Sequence, residues 1–461
     1  MSSNEKQNVD GKVDRRTFLQ SAAVAGASLA LSGNALAQAV AQPAKPATVA
    51  GPKGIDDLNV GIIGLGAQGQ VLIEAASGIP GVRFKAVCDI WEYHQKLVGG
   101  RLRKTGHDVK LYEDYRELLA QEKDLDAVVV ATPDWMHAEI ANACMEAGKH
   151  VYCEKEMSNS LEKARSMVMT QRKTGKLLQI GHQRRSNPRY IHAIDRLIRE
   201  AKLLGRVTHA YGQWNRSVAD PLGWPKKFAI DQAKLDKFGY VSMEQFRNWR
   251  WYKKYGGGPI VDLGSHQIDL FSWLWECNPS AIVAMGGADY YKGNEWYDNV
   301  MTIYEYKTPE GINRAYYQVL TTTKRGGFYE QFMGVNGSLT ISEVAARGDT
   351  VEREAHAPSW DEYAKKGWLK PVKETIKPTT TRNVAVDVRV TAESGKWPLP
   401  IELLKPAHQP HLENFFDAVR GRAKLNCPGE VAYETAVAVL KANDAVAAGR
   451  KLEFKADEFK V

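Results

Sequence analysis

The stretch Asn59–Gly69, NVGIIGLGAQG, limits this chain more than any other. Val60, Ile62 and Ile63 make a short apolar run with no polar face, the pattern of a strand buried on both sides. The run breaks at Gly64-Leu-Gly66-Ala-Gln-Gly69. Gly64 permits a tight turn, Gly66 lets the backbone approach a pyrophosphate, and Gly69 lets the following helix lie close to the sheet. Ala67 and Gln68 stand at that helix start, where free N–H groups and a positive dipole end suit a diphosphate. The helix-forming run Gln70–Ala76 follows. A second apolar strand, Phe84–Val87, leads to Asp89, 20 residues beyond Gly69, where a carboxylate accepts hydrogen bonds from an adenosine ribose. The reading is a dinucleotide site. Asp89 would repel a 2′-phosphate and so favours NAD; Arg101 and Arg103 downstream keep NADP as the alternative.

From Asn59 to Gly181 strands and helices alternate. Helical runs at Glu92–Lys104, Tyr115–Ala120, Ala138–Ala147 and Leu161–Thr174 separate a third buried strand (Asp126–Thr132), a fourth (His150–Cys153) and a fifth (Leu177–Ile180). That alternation implies a parallel sheet with right-handed crossovers. Ligands of such sheets sit at the carboxyl ends of the strands. The polar residues there are Asp89, Asp134, His137, Glu154, Lys155 and His182.

The first 37 residues read as an address. Asp14-Arg15-Arg16-Thr17-Phe18-Leu19 is a twin-arginine signature, followed by the mild apolar run Ala22–Leu31 and the small-residue site Ala35-Leu36-Ala37. The apolar run is too short for a stable membrane anchor. Cleavage is expected near Ala37, then a linker over 38–55 whose Gln42–Gly54 part is rich in Pro, Ala and Gly. Export through the twin-arginine machinery follows folding, so a nucleotide-binding protein would carry its cofactor to the periplasm, hold it tightly and recycle it in place. The net charge of +8 falls to +7 without the signal and is spread along the chain, which argues against a nucleic-acid surface. Cys88, Cys144 and Cys153 lie in apolar settings and read as buried thiols, and a Cys277–Cys427 bridge stays open.

The glycine fingerprint, ATPDWMH at Ala131–His137, CEKEM at Cys153–Met157 and DLGSHQID at Asp262–Asp269 together resemble the Gfo/Idh/MocA oxidoreductases. The resemblance implies an α/β chain: a Rossmann domain (56–181), then an α+β domain (182–408) on an open, predominantly antiparallel sheet. It also implies hydride transfer on a sugar, inositol or related polyol. Lys155 matches the lysine of the family's E-K-P motif, with Glu156 where proline is usual. Asp262 and His266 match its D-x-x-x-H pair, and these three are the implied catalytic group. Chemically, a base must take the hydroxyl proton and a cation must steady the developing oxyanion. His266 is the expected base and Lys155 the cation. Asp262 is expected to bind substrate or orient the imidazole, since i, i+4 residues share a helix face. The carboxylate–histidine spacing also resembles a zinc half-site, but no second ligand pair is evident and no metal is expected.

Thr132, Pro133, Asp134, His137, Glu154, Lys155 and Gln183 join the fingerprint as expected cofactor contacts. Arg184 and Arg185 are candidate substrate ligands, able to bind hydroxyls or a carboxylate bidentately, with scaffold ion pairs equally open. Trp249 and Tyr252 are a candidate wall for stacking a sugar ring, with core packing as the competing reading. Further strands are expected at Ala281–Gly286, Val300–Tyr306, Arg314–Leu320, Phe328–Val335 and Ser338–Ile341. The polar, proline-bearing segment 344–406 reads as an insertion over or beside the site. Residues 409–461 are expected to return as helices to the Rossmann domain. In relatives such a sheet often forms a subunit interface, so a homo-oligomer, dimer or tetramer, is expected. The functional expectation is a periplasmic sugar or glycoside dehydrogenase with tightly held NAD. The alternative is a redox-neutral NAD-dependent glycosidase working through a 3-keto intermediate, and a non-catalytic sugar-binding scaffold is a third reading.

Overall fold

A computed structural model describes residue 54, residues 56–372 and residues 395–461. The twin-arginine segment 1–37 and, apart from Gly54, the linker 38–55 lie outside the described residues.

The apolar run becomes β1 (Leu58–Ile63), buried at all six positions. With β2 (Val82–Cys88), β3 (Lys110–Tyr112), β4 (Ala127–Val130), β5 (His150–Cys153) and β6 (Leu178–Ile180) it forms a parallel sheet in the order β3-β2-β1-β4-β5-β6. The order reverses beside β1, which opens a crevice at the carboxyl ends of β1 and β4. The crossover helices are α1 (Ala67–Ser77), α2 (Glu92–Lys104), α3 (Tyr115–Gln121), α4 (Asp134–Glu146) and α5 (Leu161–Thr174). Two boundaries differ from the sequence reading. β3 was not anticipated, because three residues with an exposed Lys110 carry no run. α4 starts at Asp134 rather than Ala138, since Pro133 at φ −62° precedes its first turn and Asp134–His137 are already helical.

The second sheet has nine strands in the order β14-β13-β12-β11-β7-β10-β9-β8-β15. They are β7 (Val207–Asn215), β8 (Ala281–Gly287), β9 (Asn299–Thr308), β10 (Gly311–Leu320), β11 (Phe328–Gly334), β12 (Gly337–Ile341), β13 (Asp349–Arg353), β14 (Gly395–Pro398) and β15 (Leu452–Glu453). Among the described residues only β7 and β10 pair parallel in it, so the sheet is mixed and mostly antiparallel, as expected. β7 escaped the sequence reading because Gln213 and Asn215 are buried in it and hide the alternation. Its inner face is covered by α6 (Gly258–Trp275), where Gly264 lets the helix approach Tyr317: a methyl there would sit 2.8 Å from the ring.

Residues 373–394 of the segment expected as an insertion lie outside the described residues; its described parts supply β13 and β14, which extend this sheet. Val351 and Trp397 face each other across that pair and are buried. A buried tryptophan fits an integral edge better than a surface decoration. α7 (Gln409–Val419) packs Leu412, Phe415 and Phe416 with Leu72 of α1 and Phe84 of β2. α8 (Gly429–Ala448) gives Tyr433 and Val437 to one core and Val439 and Ala442 to the other, a seam shared by both domains. All five cysteines are free thiols. Because Trp397 is core, Trp397→Ala is expected to cost about 3–5 kcal/mol in denaturant unfolding. An unchanged midpoint would return the segment to the status of an insertion.

Candidate active site

A cleft of about 2620 Å³ runs from the fingerprint turn to the start of α6. The glycines divide the labour by geometry. Gly64 has φ +94°, and a methyl there would lie 2.5 Å from the Ala131 carbonyl. One on Gly69 would lie 2.0 Å from the Gly64 oxygen. One on Gly66 would meet nothing within 4 Å and would project into open space. Gly66 also begins α1 without a side-chain cap, so the first-turn amides at Ala67 and Gln68 are not bonded by a capping side chain. A cradle that only a missing Cβ keeps open, at an uncapped helix start, fits a dinucleotide pyrophosphate.

Asp89 lines the cleft at the end of β2, and its carboxylate also braces the turn. It accepts the Leu65 N–H and the Trp91 N–H, each at 2.8 Å. Thr132, Pro133, Asp134, Glu154 and Gln183 also reach the cleft, so the structure brings these sequence candidates together. Gln68 donates to Glu154 at 3.1 Å and contacts His408 Nε2 at 3.0 Å. His408 lies just before α7 and no sequence signal marked it. Trp91 donates its indole N–H to the Phe228 carbonyl at 2.6 Å. Both contacts tie the crevice to segments of the second domain.

The reacting end is built by Lys155, Asp262 and His266. The Lys155–Glu156 peptide is cis, although proline is absent. Lys155 donates to the Asp262 carbonyl oxygen, and its Nζ lies 3.5 Å from the carboxylate. Arg250 Nε sits 3.2 Å from the other oxygen. Despite burial, Arg250, Lys155 and Arg216 hold the Asp262 carboxyl far below the usual range, so it stays ionised. His266 is pushed well below its ordinary value by burial and then by the Lys155 charge, and is a neutral imidazole. Its ring stacks on Trp214 at 5.4 Å, and its Nδ1 is buried without a partner. Asp134 is raised to about 7, by burial first and then by Asp262. Trp249 and Tyr252 line the cleft and are partly buried, as a substrate wall requires.

Three expected contacts are corrected. His137 is buried and lies outside the cleft, its ring nitrogens 2.7 Å from the Glu156 carbonyl and 2.8 Å from that of Thr132. It positions two loops. Arg184 is fully buried and paired with Glu330, and Arg185 grips Asp269 with Nη2 at 2.8 Å. Both guanidinium groups are held by scaffold carboxylates, which leaves neither for substrate. Arg216 and Arg250 reach the cleft in their place. Arg250 sits inside the Trp249–Tyr252 run, where its charge was the available signal.

The glycine geometry predicts a split. Gly69→Ala should lose stability, because its methyl meets backbone. Gly66→Ala, at φ −64°, should fold like the parent yet bind NADH at least about tenfold more weakly, a loss of about 1.4 kcal/mol. Equal affinity of Gly66→Ala and the parent, by fluorescence titration, would remove the pyrophosphate from this turn. Glu156 is fully buried, and burial raises its carboxyl to about 8. The unfolded chain loses this proton near its ordinary value of 4.5, the folded chain only near 8, so ionisation withdraws stability as pH climbs between them. The melting temperature of Glu156→Gln, relative to the parent, should therefore rise by ~3 °C or more from pH 5 to pH 8. Parallel melting curves would show Glu156 ionised in the fold.

A family model described as the oxidoreductase family with NAD-binding Rossmann fold matches residues 58–182, and the GFO/IDH/MocA C-terminal domain matches residues 191–349. A glycosyl hydrolase family 109 protein of Saccharopolyspora erythraea is 32% identical over 169 residues, 35% of this chain and 37% of that protein. Inositol 2-dehydrogenase of Rubrobacter xylanophilus is 33% identical over 180 residues, 38% of this chain and 49% of that enzyme. The chain thus spans less than half the length of each of these curated relatives. Among solved structures, levoglucosan dehydrogenase in complex with NADH and levoglucosan superposes with a TM-score of 0.64 at 19% identity, covering 87% of this chain and 99% of that one. Two successive domains of one family therefore account for the domain that carries the glycine turn and the domain whose helix α6 carries Asp262 and His266, and the protein belongs to the Gfo/Idh/MocA oxidoreductases.

Proposed function

We propose that the protein is an exported, NAD-dependent enzyme that moves a hydride between a hydroxyl-bearing carbon of a sugar or glycoside and a tightly held nicotinamide cofactor. The observation that carries this reading is a neutral His266 beside a lysine–aspartate pair at one end of a cleft whose other end is the glycine cradle. A bound nicotinamide supplies the hydride acceptor. His266 takes the hydroxyl proton, which a neutral imidazole can do and an imidazolium cannot. Lys155 places a positive charge where the oxyanion develops, and Asp262 fixes that ammonium from its carbonyl and carboxylate. Trp249 and Tyr252 give the sugar a flat apolar wall. The twin-arginine pattern supports the periplasm as its place of work. Met285, Met301, Ile303 and Ile312, exposed on the open face of the nine-stranded sheet, suit a second copy of the chain.

The relative from glycosyl hydrolase family 109 favours the redox-neutral glycosidase as the second reading. One experiment separates them. Protein purified without added nucleotide is expected to carry NAD(H), and one sugar of a neutral and acidic panel is expected to raise its NADH fluorescence. His266→Asn should slow that reduction by at least about 100-fold with cofactor content unchanged. Glycoside cleavage without net reduction, stopped by borohydride, would assign the glycosidase. Protein that neither carries nor binds a nucleotide would sink both readings.

A further inference from the structure

The geometry points to a substrate that carries a carboxylate: we propose that Arg216 is the anion-binding residue at the reacting end of the cleft, and that the sugar is of the uronic-acid class. The inference deepens the proposed function and rests on it for the reacting hydroxyl. Arg216 directly follows β7, and its backbone N–H donates to the Leu320 oxygen at 2.8 Å, which fixes where the side chain starts. The side chain is partly buried, lines the cleft and lies 5.6 Å from the Trp214 ring, the same indole on which His266 stacks.

What sets Arg216 apart from the other arginines near the reacting residues is, among the described residues, the lack of a carboxylate partner. Buried Arg184 and Arg189 and partly buried Arg185 each have a carboxylate, from Glu330, Asp349 and Asp269, and Arg250 has Asp262. Among the described residues Arg216 forms no ion pair, and its Nε is buried with no hydrogen-bond partner. The acid that acts on it is Asp262, which already holds Lys155 and Arg250. A guanidinium does not shed its proton in the working pH range, so an unpaired, desolvated one is matched by an anion from outside. The planar fork suits a carboxylate gripped bidentately.

The test is calorimetric titration of the protein as purified with D-glucuronate and D-galacturonate, their neutral parents D-glucose and D-galactose, and the two 6-phosphates. At least one uronate should bind ten or more times tighter than its neutral parent, with the margin shrinking as salt rises. Arg216→Gln should abolish the margin and Arg216→Lys should restore part of it, circular dichroism confirming that both fold. A neutral sugar bound as tightly as its uronate, a margin that survives Arg216→Gln, or no uronate binding at millimolar concentration overturns the proposal. A 6-phosphate preferred to the uronate overturns the carboxylate. Uronate binding that never reduces the cofactor fails the hydride-transfer reading alone, whereas reduction by neutral sugars only fails this inference alone.

Discussion

The ionised carboxylate of Asp262 is the contact on which the rest depends. Lys155 arrives from the loop after β5 on the first sheet, Asp262 from α6 on the second, and Arg250 from the segment between β7 and α6. One partly buried acid therefore joins three parts of the chain. Taking two charges out of water costs several kcal/mol per ion, and the mutual attraction offsets this only when geometry and further hydrogen bonds are good. The bond from Lys155 to the Asp262 carbonyl and the second cation at Arg250 provide that. The same cluster sets the chemistry. The lysine's charge helps keep His266 neutral, and the aspartate's helps raise Asp134 to about 7. Removing Asp262 would leave uncompensated cations at the domain junction and take away one of the charges that raise Asp134, so structure and reactivity are not separable there.

How much of this the sequence disclosed follows from how local each signal is. The glycine turn, β1, β5, α2 and α5 depend on residues within a few positions of each other, and their chemistry is written in consecutive letters. The histidine four residues after Asp262 is equally local. Long-range pairing is not. β7 has polar residues inside because Gln213 bonds to the backbone of Arg325 and Gly327, more than 100 residues away. Its neighbour Arg216 was hidden with it. Arg184 and Arg185 looked like ligands because a guanidinium pair beside a strand end is what a ligand site needs. Only the fold reveals that Glu330 and Asp269 reach them first. Sequence shows which groups can bind an anion; burial and partners decide which remain free.

The enclosure of the crevice bears on whether a cofactor stays. The Gln68–His408 contact is a single hydrogen bond, worth about 1 kcal/mol net, and breaking it would open little. The opposite wall is different. Trp91, from the Rossmann side, is buried in a small core with Ile230, Leu235, Tyr240, Met243 and Tyr255 from the segment between β7 and α6. Arg247 lies 5.0 Å over the Trp91 ring, and Trp135 meets Tyr240 and Tyr255 edge-on. Each fully buried apolar side chain contributes about 1.5–3 kcal/mol relative to exposure. Swinging this segment away from Trp91 would disrupt several such contacts together, along with the indole hydrogen bond to Phe228. Opening on that side is thus a cooperative event rather than the loss of a latch. A wall with that property suits a cofactor installed during folding and kept through many turnovers, and it would slow a cofactor exchanged in each cycle.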